Sequence, residues 1–396
     1  MFKEKSEEIF DYIEDVIRKI YENPEDTIKL IKEELDKMGI RHDQVINGGL
    51  LGFIEGDQED YNPKTILLRA KPDDHIAMAL STAKILSESK DDFAGNIILC
   101  FEKGEELEEG YKYILAYLDK NDISVDAAYG IHLSDEYESG VMAIRDGGIN
   151  AGTMVFDVTI KGQSRHGASL NLANNPLECF VDIYQSMKSL RVDKFSPFDP
   201  LIYSIDLVEM GEKNDQTQDR LRFKGRAKFF DRDKVGYKFY SLLRSVIINK
   251  ARDNGCKVSF KEFTRPHFPI INDKALADLA RKSMADEIGS EFIKEANPSM
   301  ESDSFSAYNA IWPGLYIMLG IRNDELSSGA TLHSDEPKLG EAALKNGLRA
   351  TASFVIDYLK SDLKIEDRPF KDNLETFFRE ESRTREEIEE IYETIS

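Results

Sequence analysis

Hydrophobic residues in the first 38 positions recur every three or four residues, the spacing of an amphipathic helix. A first stripe precedes Pro24 and a second follows it; they consist of Ile9, Ile13, Val16, Ile17 and Ile20, and of Ile28, Leu30, Ile31 and Leu35. Because proline disrupts a helix that runs into it, the pattern predicts two opening helices that are separated near Pro24.

Short apolar runs then alternate with amphipathic stretches. The runs predict strands over residues 46–55, 65–70, 96–101 and 127–132, and the amphipathic stretches predict helices over 75–88 and 108–118. Strands that alternate with helices are typical of an α/β sandwich with a parallel or mixed sheet.

The pattern changes near Gly147. Period-two alternation over 153–161 indicates a half-exposed strand, and the following pattern predicts strands over 201–210, 220–230 and 257–263 and helices over 177–190 and 234–254. Two strand–helix–strand passes of this kind predict a small α+β domain. After Arg265-Pro266 the alternation of helix and strand returns, with its clearest strand at 315–319.

These changes divide the chain into four segments. Residues 1–147 and 265–360 are predicted to form one larger domain, interrupted by a smaller domain over 148–264. Residues 361–396 are charge-rich and have helical spacing, which predicts a helical tail that packs on the body or on a partner. A length of 396 residues agrees with two domains, because a single hydrophobic core rarely grows so large.

Composition narrows the function classes. The formal net charge of −22 argues against binding to nucleic acid or to anionic membrane surfaces. Three widely spaced cysteines without a CxxC motif do not form a disulfide framework, which favours a reducing compartment. The first residues are too charged for a signal peptide, and no run of about 18 apolar residues occurs, so we expect a cytoplasmic protein.

An acidic cluster follows the apolar run at 97–101. It contains Glu105, Glu106, Glu108 and Glu109. Neighbouring carboxylates repel each other, so they suit a place where a cation compensates them or where one of them acts as a base. Acidic residues also favour the first turn of a helix, and this stretch alone leaves both interpretations open.

Further candidate residues follow predicted strands. They are Asp73, Asp74 and His75 before a helix, His132 at the end of the strand 127–131, and His333. Ligands bind outside the carboxyl ends of strands in open α/β sheets, and imidazoles with carboxylates suit Zn²⁺ or a similar ion. A metal-bound water would then be the nucleophile, and an uncoordinated carboxylate would take its proton. Each residue alone also fits a structural role, and the Asp73-Asp74 pair fits a helix N-cap.

Several segments resemble one known family. The stretches HIAMALSTAKIL, FEKGEELEEG, IKGQSRHGAS and LHSDEPKLGEAALKNG, in this order, resemble the zinc-dependent amidohydrolases and exopeptidases. That family includes aminoacylases, N-acetyl-diaminopimelate deacetylase and the plant hydrolases of indole-acetyl-amino acids, and the resemblance is nearest to the plant branch. It covers the chain to about Leu359.

The resemblance implies a zinc-peptidase-like α/β/α catalytic domain interrupted by a smaller α+β lid domain that mediates dimers. It assigns Glu105 as the general base and assigns metal binding to Glu106, His132 and His333. It also assigns His166 to the lid loop that stabilises the oxyanion of a neighbouring active site.

Some family positions differ in this chain. Ala70 and Pro72 occupy the positions of a metal-binding Cys and His, and neither side chain can bind a metal. Asp73, Asp74 or His75 are possible substitute ligands. In the predicted substrate-binding part of the lid, Asp215 and Lys228 replace an Asn and an Arg.

We therefore expect an intact fold with an altered metal site that holds at most one zinc or other divalent ion, or none. The predicted function is hydrolysis of amide bonds in N-acyl amino acids or short peptides. The alternative is a catalytically impaired family member that binds a small ligand or serves as a scaffold without a two-metal centre.

Overall fold

The structure is a computed structural model that describes residues 2–71, 74–104, 109–163, 173–210, 219–323 and 340–395, without the side chain of Asp74. The α-helices in these ranges are α1 (Lys3–Glu8), α2 (Phe10–Glu22), α3 (Thr27–Lys37), α4 (Asp74–Ser87), α5 (Gly110–Lys120), α6 (Pro176–Lys194), α7 (Tyr237–Asp253), α8 (Lys274–Ile288), α9 (Phe305–Ile311), α10 (Glu341–Lys360), α11 (Leu374–Glu380) and α12 (Arg385–Thr394).

The strands in the same ranges are β1 (Arg41–Val45), β2 (Gly49–Glu55), β3 (Thr65–Ala70), β4 (Asn96–Glu102), β5 (Ala127–Glu138), β6 (Met142–Ile144), β7 (Gly147–Asn150), β8 (Gly152–Lys161), β9 (Leu201–Met210), β10 (Arg220–Phe229), β11 (Lys257–Phe263), β12 (Ile270–Asn272), β13 (Ile293–Glu295) and β14 (Gly314–Arg322).

The larger sheet has the strand order β1-β2-β4-β3-β5-β14-β6-β13. Its central strands β4, β3, β5 and β14 run parallel, and all six residues of β3 are buried. Strands of a parallel sheet are covered on both faces, which explains their nearly continuous hydrophobic runs. Helices α2, α3, α4, α8 and α10 pack on one face, and α5, α9, α11 and α12 pack on the other.

The smaller sheet has the order β11-β8-β10-β9, and its pairs are antiparallel. Helices α6 and α7 cover one face and share a separate hydrophobic core with it. On β10 the buried residues alternate with Arg222, Lys224, Arg226 and Lys228, which lie on the opposite face. The chain is therefore an α/β/α layer with a second, smaller α+β unit inserted into it, which confirms the predicted fold class.

One predicted boundary that concerns the candidate site is wrong. His132 does not end its strand, because β5 continues to Glu138. From Ser134 onward the extension is mostly polar and largely exposed, so the hydrophobic pattern stops before the strand does. Pairing with β14, in which Ser134 faces Gly320 and Glu138 faces Arg322, keeps the extension in the sheet.

The helical tail packs on the body of the same chain. Leu374, Phe377, Phe378 and Ile388 are buried in the core cluster that contains Tyr111, Ile114 and Leu115 of α5. The aromatic ring of Phe377 stacks on Phe268 at a centroid distance of 5.7 Å. Among the described residues, no helix is long and apolar enough to cross a membrane.

Phe377→Ala is expected to lower the free energy of unfolding by about 3–5 kcal/mol, because the side chain is fully buried and its removal leaves a cavity. Urea denaturation followed by circular dichroism measures the change. Val192→Ala is the control and is expected to stay within about 0.5 kcal/mol, because Val192 is 80% exposed. Equal effects of the two substitutions would contradict the packing of the tail on the body.

Candidate functional site

Four parallel strands end at one edge of the larger sheet. Arg69 lies at the end of β3, and Glu102 is the last residue of β4. His132 lies on the adjacent β5, where it faces Met318 of β14. Because the carboxyl ends of parallel strands meet at the same edge, this edge is where the sheet can bind a ligand.

A buried network of charges lies at this edge. Arg69 donates from Nε to Oε2 of Glu102 at 2.7 Å, and its Nη1 lies 3.1 Å from Oδ1 of Asp303. The ammonium group of Lys71 contacts the other oxygen of Asp303. The side chains of Arg69, Glu102 and Asp303 are only 2–3% exposed, whereas that of Lys71 is 21% exposed.

Neutral donors complete the network. Tyr316 donates its hydroxyl to Oδ2 of Asp303 at 2.7 Å, and the backbone amide of Phe305 donates to Oδ1 at 2.8 Å. Tyr308 donates to Oε2 of Glu102 at 3.3 Å, and Arg69 also bonds the hydroxyl of Ser304. The buried guanidinium of Arg69 and the partly exposed ammonium of Lys71 therefore face two carboxylates whose oxygens accept further hydrogen bonds, as buried charges require.

The charges hold Asp303 and Arg69 in their ionised forms. Burial by itself raises the pKa of Asp303, but the charges of Arg69 and Lys71 outweigh it and hold this pKa well below its usual value. Burial also opposes the charge of Arg69, yet Asp303 and Glu102 raise the pKa of its guanidinium well above its usual value. Both groups are therefore charged at neutral pH.

His132 lies beside this network. Its ring is 6.3 Å from that of His75 and 6.1 Å from that of Tyr316, measured between centroids. Burial lowers the pKa of His132 to about 4, assisted by the positive charges of Lys71 and Arg69 and opposed by Asp303. The imidazole is therefore neutral at pH 7, and its Nε2 lies 3.7 Å from a carboxylate oxygen of Glu301.

The structure brings together two of the predicted site residues, His75 and His132. Lys228 lies in the smaller domain, on the face of β10 opposite its core. The remaining predicted residues lie outside the described part of the chain: Asp73, the side chain of Asp74, Glu105, Glu106, His166, Asp215 and His333. Their predicted roles stay predictions.

The described residues by themselves do not fit a metal ion. Among them, no group of three His, Cys, Asp or Glu side chains is placed to hold one. His132 offers a neutral imidazole, but the nearby carboxylates of Asp303 and Glu102 are occupied by Arg69 and Lys71. Two cationic side chains at this edge also repel a divalent ion.

The charge network was not predicted from the sequence. Arg69 and Lys71 were not singled out, although an arginine at the end of the apolar run TILLRA was a usable signal. A charged residue in a buried strand needs a partner of opposite charge. That partner, Asp303, is 234 residues away in the chain, so sequence spacing could not identify it.

Comparison with known proteins agrees with this fold. Residues 72–357 match the sequence profile described as Peptidase family M20/M25/M40. The match spans more than half of the chain, and the chain belongs to this family of metal-dependent amidohydrolases and peptidases. The resemblance inferred from the sequence is thus confirmed.

Individual relatives cover most of the chain. It is 29% identical to "IAA-amino acid hydrolase ILR1-like 2" of Arabidopsis thaliana over 90% of this chain and 87% of that protein. It is 27% identical to "Thermostable carboxypeptidase 2" of Saccharolobus solfataricus over 90% and 98% of the two chains. A Bacillus subtilis structure, described as a dinuclear metal binding peptidase from the M20 family, has a TM-score of 0.71 at 18% identity and covers 88% of this chain and 98% of that one.

Asp303→Asn is expected to destabilise the protein by about 3–5 kcal/mol, because it leaves the buried charge of Arg69 with one counter-charge fewer. The measurement is urea denaturation at pH 7. Asp253→Asn is the matched control, since its ion pair with Arg252 is exposed and spans 3.9 Å. The control is expected to change the stability by less than about 1 kcal/mol.

The difference in stability between wild type and Asp303→Asn is expected to depend on pH. The folded-state pKa of Asp303 is lowered, so its contribution is complete above the unfolded pKa of about 3.9 and is lost as pH falls through the folded value. The stability difference between wild type and Asp303→Asn should therefore shrink between pH 4 and pH 2.5. A difference that stays constant over this range would contradict the ionised, paired state of Asp303.

Proposed function

We propose that the protein hydrolyses amide bonds in N-acyl amino acids or short peptides. The observation that carries the proposal is the family match over residues 72–357. The match includes three of the four strands that end around His132, namely β4, β5 and β14. One relative is named as a hydrolase of amino-acid conjugates and the other as a carboxypeptidase, and both names support the substrate class.

The proposed roles follow the family positions. Glu105 is the general base and His166 stabilises the oxyanion. Glu106, His132 and His333 are the ligands of at most one zinc or other divalent ion, with Asp73, Asp74 or His75 as substitutes for the lost positions. The neutral imidazole of His132 supports its role, because only an unprotonated ring nitrogen can bind a metal.

A second function is supported by the charge network. Arg69 and Lys71 place two basic side chains at the edge where the metal site is proposed, and both contact Asp303. This observation favours a catalytically impaired member that binds a small ligand or serves as a scaffold without a two-metal centre.

Hydrolysis of a panel of N-acetyl amino acids and dipeptides, with Zn²⁺, Mn²⁺ or Co²⁺ added, decides between the two functions. Wild type is expected to hydrolyse at least one substrate. Glu105→Gln is expected to lower kcat by about 100-fold or more, because it removes the proposed base. Glu59→Gln is the control, because Glu59 is an exposed acid that is not part of the proposed site, and this variant should retain full activity.

Equal inactivity of wild type and Glu105→Gln over the whole panel would exclude the hydrolase proposal and support the second function. Equal activity of the two proteins would exclude Glu105 as the base.

Elemental analysis of protein purified without chelators is expected to find no more than one equivalent of divalent metal per chain. The reason is the loss of ligands at Ala70 and Pro72, together with the positive charge of Arg69 and Lys71. Two equivalents per chain would show that an intact two-metal centre forms despite these changes. His132→Ala should reduce the metal content further. His42→Ala is the control and should not change it, because His42 lies on β1 and contacts Asp36.

We also propose a homodimer that forms through the smaller domain. Helix α6 exposes an apolar stripe of Leu177, Val181 and Tyr184, and the edge strand β9 exposes Ile202 and Val208. Exposed apolar groups beside an unpaired strand edge favour association with another chain.

Light scattering should give a mass twice the 45.1 kDa of one chain. Val181→Glu combined with Val208→Glu is expected to give the single-chain mass, because both charges would be buried at the contact. Ile46→Glu, which changes an exposed apolar residue of the larger domain, is the control. A wild-type protein with the single-chain mass would contradict the proposal.

Two further proposals remain from the sequence. The cytoplasm is the proposed location, supported by Cys100, Cys179 and Cys256, which are all free and buried. The proposed domain limits are 1–147 with 265–360, 148–264, and the tail 361–396; the separate core of the smaller sheet supports them.

A further inference from the structure

The tail segment Arg379–Arg383 contacts both domains. It connects α11 and α12, and it lies beyond the residues that match the family profile. We define it as the brace segment. Its contacts fall into two groups. The first group is with the smaller domain and with the segment where the chain leaves that domain, and the second is with the larger domain.

Towards the smaller domain, Glu380 is the main contact. Its Oε2 accepts from Nη2 of Arg232 at 2.7 Å and from the hydroxyl of Tyr237 at 2.6 Å. Arg232 and Tyr237 lie immediately before and at the start of α7, which belongs to the core of the smaller domain. Burial raises the pKa of Glu380, but hydrogen bonds from Tyr237 and Arg232 lower it below its usual value, so the contact is charged.

The brace segment also contacts the chain where it leaves the smaller domain. Ser382 accepts from the backbone amide of Arg265 at 2.9 Å, and the guanidinium of Arg265 donates to the carbonyl of Arg379 at 3.3 Å. His267 lies 3.0 Å from Glu381, measured from Nδ1 to Oε2. The residues around Arg265 form one of the two connections between the domains. The brace segment therefore contacts a connection at which a hinge between the domains would lie.

Towards the larger domain, Glu381 and Arg383 are the contacts. The buried carboxylate of Glu381 accepts from the hydroxyl of Tyr111 at 2.9 Å. Arg383 pairs with Glu109, the residue that precedes α5 and has a positive φ of 50°. The first turn of α5 and the brace segment are thus held together by one buried hydrogen bond and one ion pair.

We propose that the C-terminal tail is an interdomain brace that holds the smaller domain at a fixed angle to the larger one. Both sets of contacts come from five consecutive residues, so movement of the smaller domain must break one set. The aromatic contact of Phe377 with Phe268 and the hydrophobic docking of α11 anchor the brace segment to the larger domain. The proposal does not depend on hydrolase activity.

The test is the distance distribution between two spin labels, one on each domain, measured by pulsed electron paramagnetic resonance. Labels at Glu33→Cys on α3 and Ser189→Cys on α6 occupy exposed positions, while the three native cysteines are buried. Labelled protein is diluted with unlabelled protein to remove distances between chains. The full-length wild type is expected to give one narrow distribution.

Glu380→Ala combined with Ser382→Ala removes side-chain contacts to Arg232, Tyr237 and Arg265, and leaves Glu381 and Arg383 on the larger domain. The distribution is expected to become at least twice as wide. Glu390→Ala combined with Thr394→Ala is the matched control, because it also removes an acid and a hydroxyl group. Thr394 donates to the backbone carbonyl of Glu390 within α12, so this control should leave the distribution unchanged.

An unchanged distribution in the Glu380→Ala/Ser382→Ala protein, with a native circular dichroism spectrum, would overturn the proposal. If this protein unfolds at a lower temperature than the control, Glu380→Ala alone decides by the same measurement, because it removes the contacts to Arg232 and Tyr237 and leaves Ser382 in place. A distribution as narrow as that of wild type would then also overturn the brace.

Discussion

The interaction between Arg69 and Asp303 determines what the edge of the larger sheet can do. Arg69 is the penultimate residue of β3, in the centre of a sheet covered on both faces, and its charge is nearly inaccessible to water. Such a charge is costly to bury unless it is paired and hydrogen-bonded. Asp303 provides that pair from the segment before α9, and Glu102 provides a second one from β4.

This pairing has consequences for the chemistry around it. The carboxylates that face the strand ends are occupied by cations, and burial, assisted by these cations, lowers the pKa of His132 so that its ring is neutral. The chain thus has the fold of a metal-dependent family and a neutral imidazole at this edge, while the adjoining charges are balanced by side chains. Lys71, the more exposed cation, is the group whose charge an entering ligand would meet.

The strands and helices of the body were largely predictable because each carries its own periodic pattern. The strand at Thr65–Ala70 and the helix after it follow directly from an apolar run and an amphipathic stretch. Two of the exceptions share a cause: β1 and the extension of β5 are rich in exposed polar residues, and pairing with a neighbouring strand keeps them extended. Local hydrophobicity does not indicate which residues pair between neighbouring strands.

The sequence by itself determined the fold class, the family and the candidates His75 and His132, since these follow from local patterns and from motifs in a fixed order. Only the tertiary structure decided which charges neutralise one another. Arg69 with Asp303 and Glu380 with Arg232 are separated by more than 140 residues. Ion pairs depend on distance in space and on burial, and neither quantity can be read from a one-dimensional pattern.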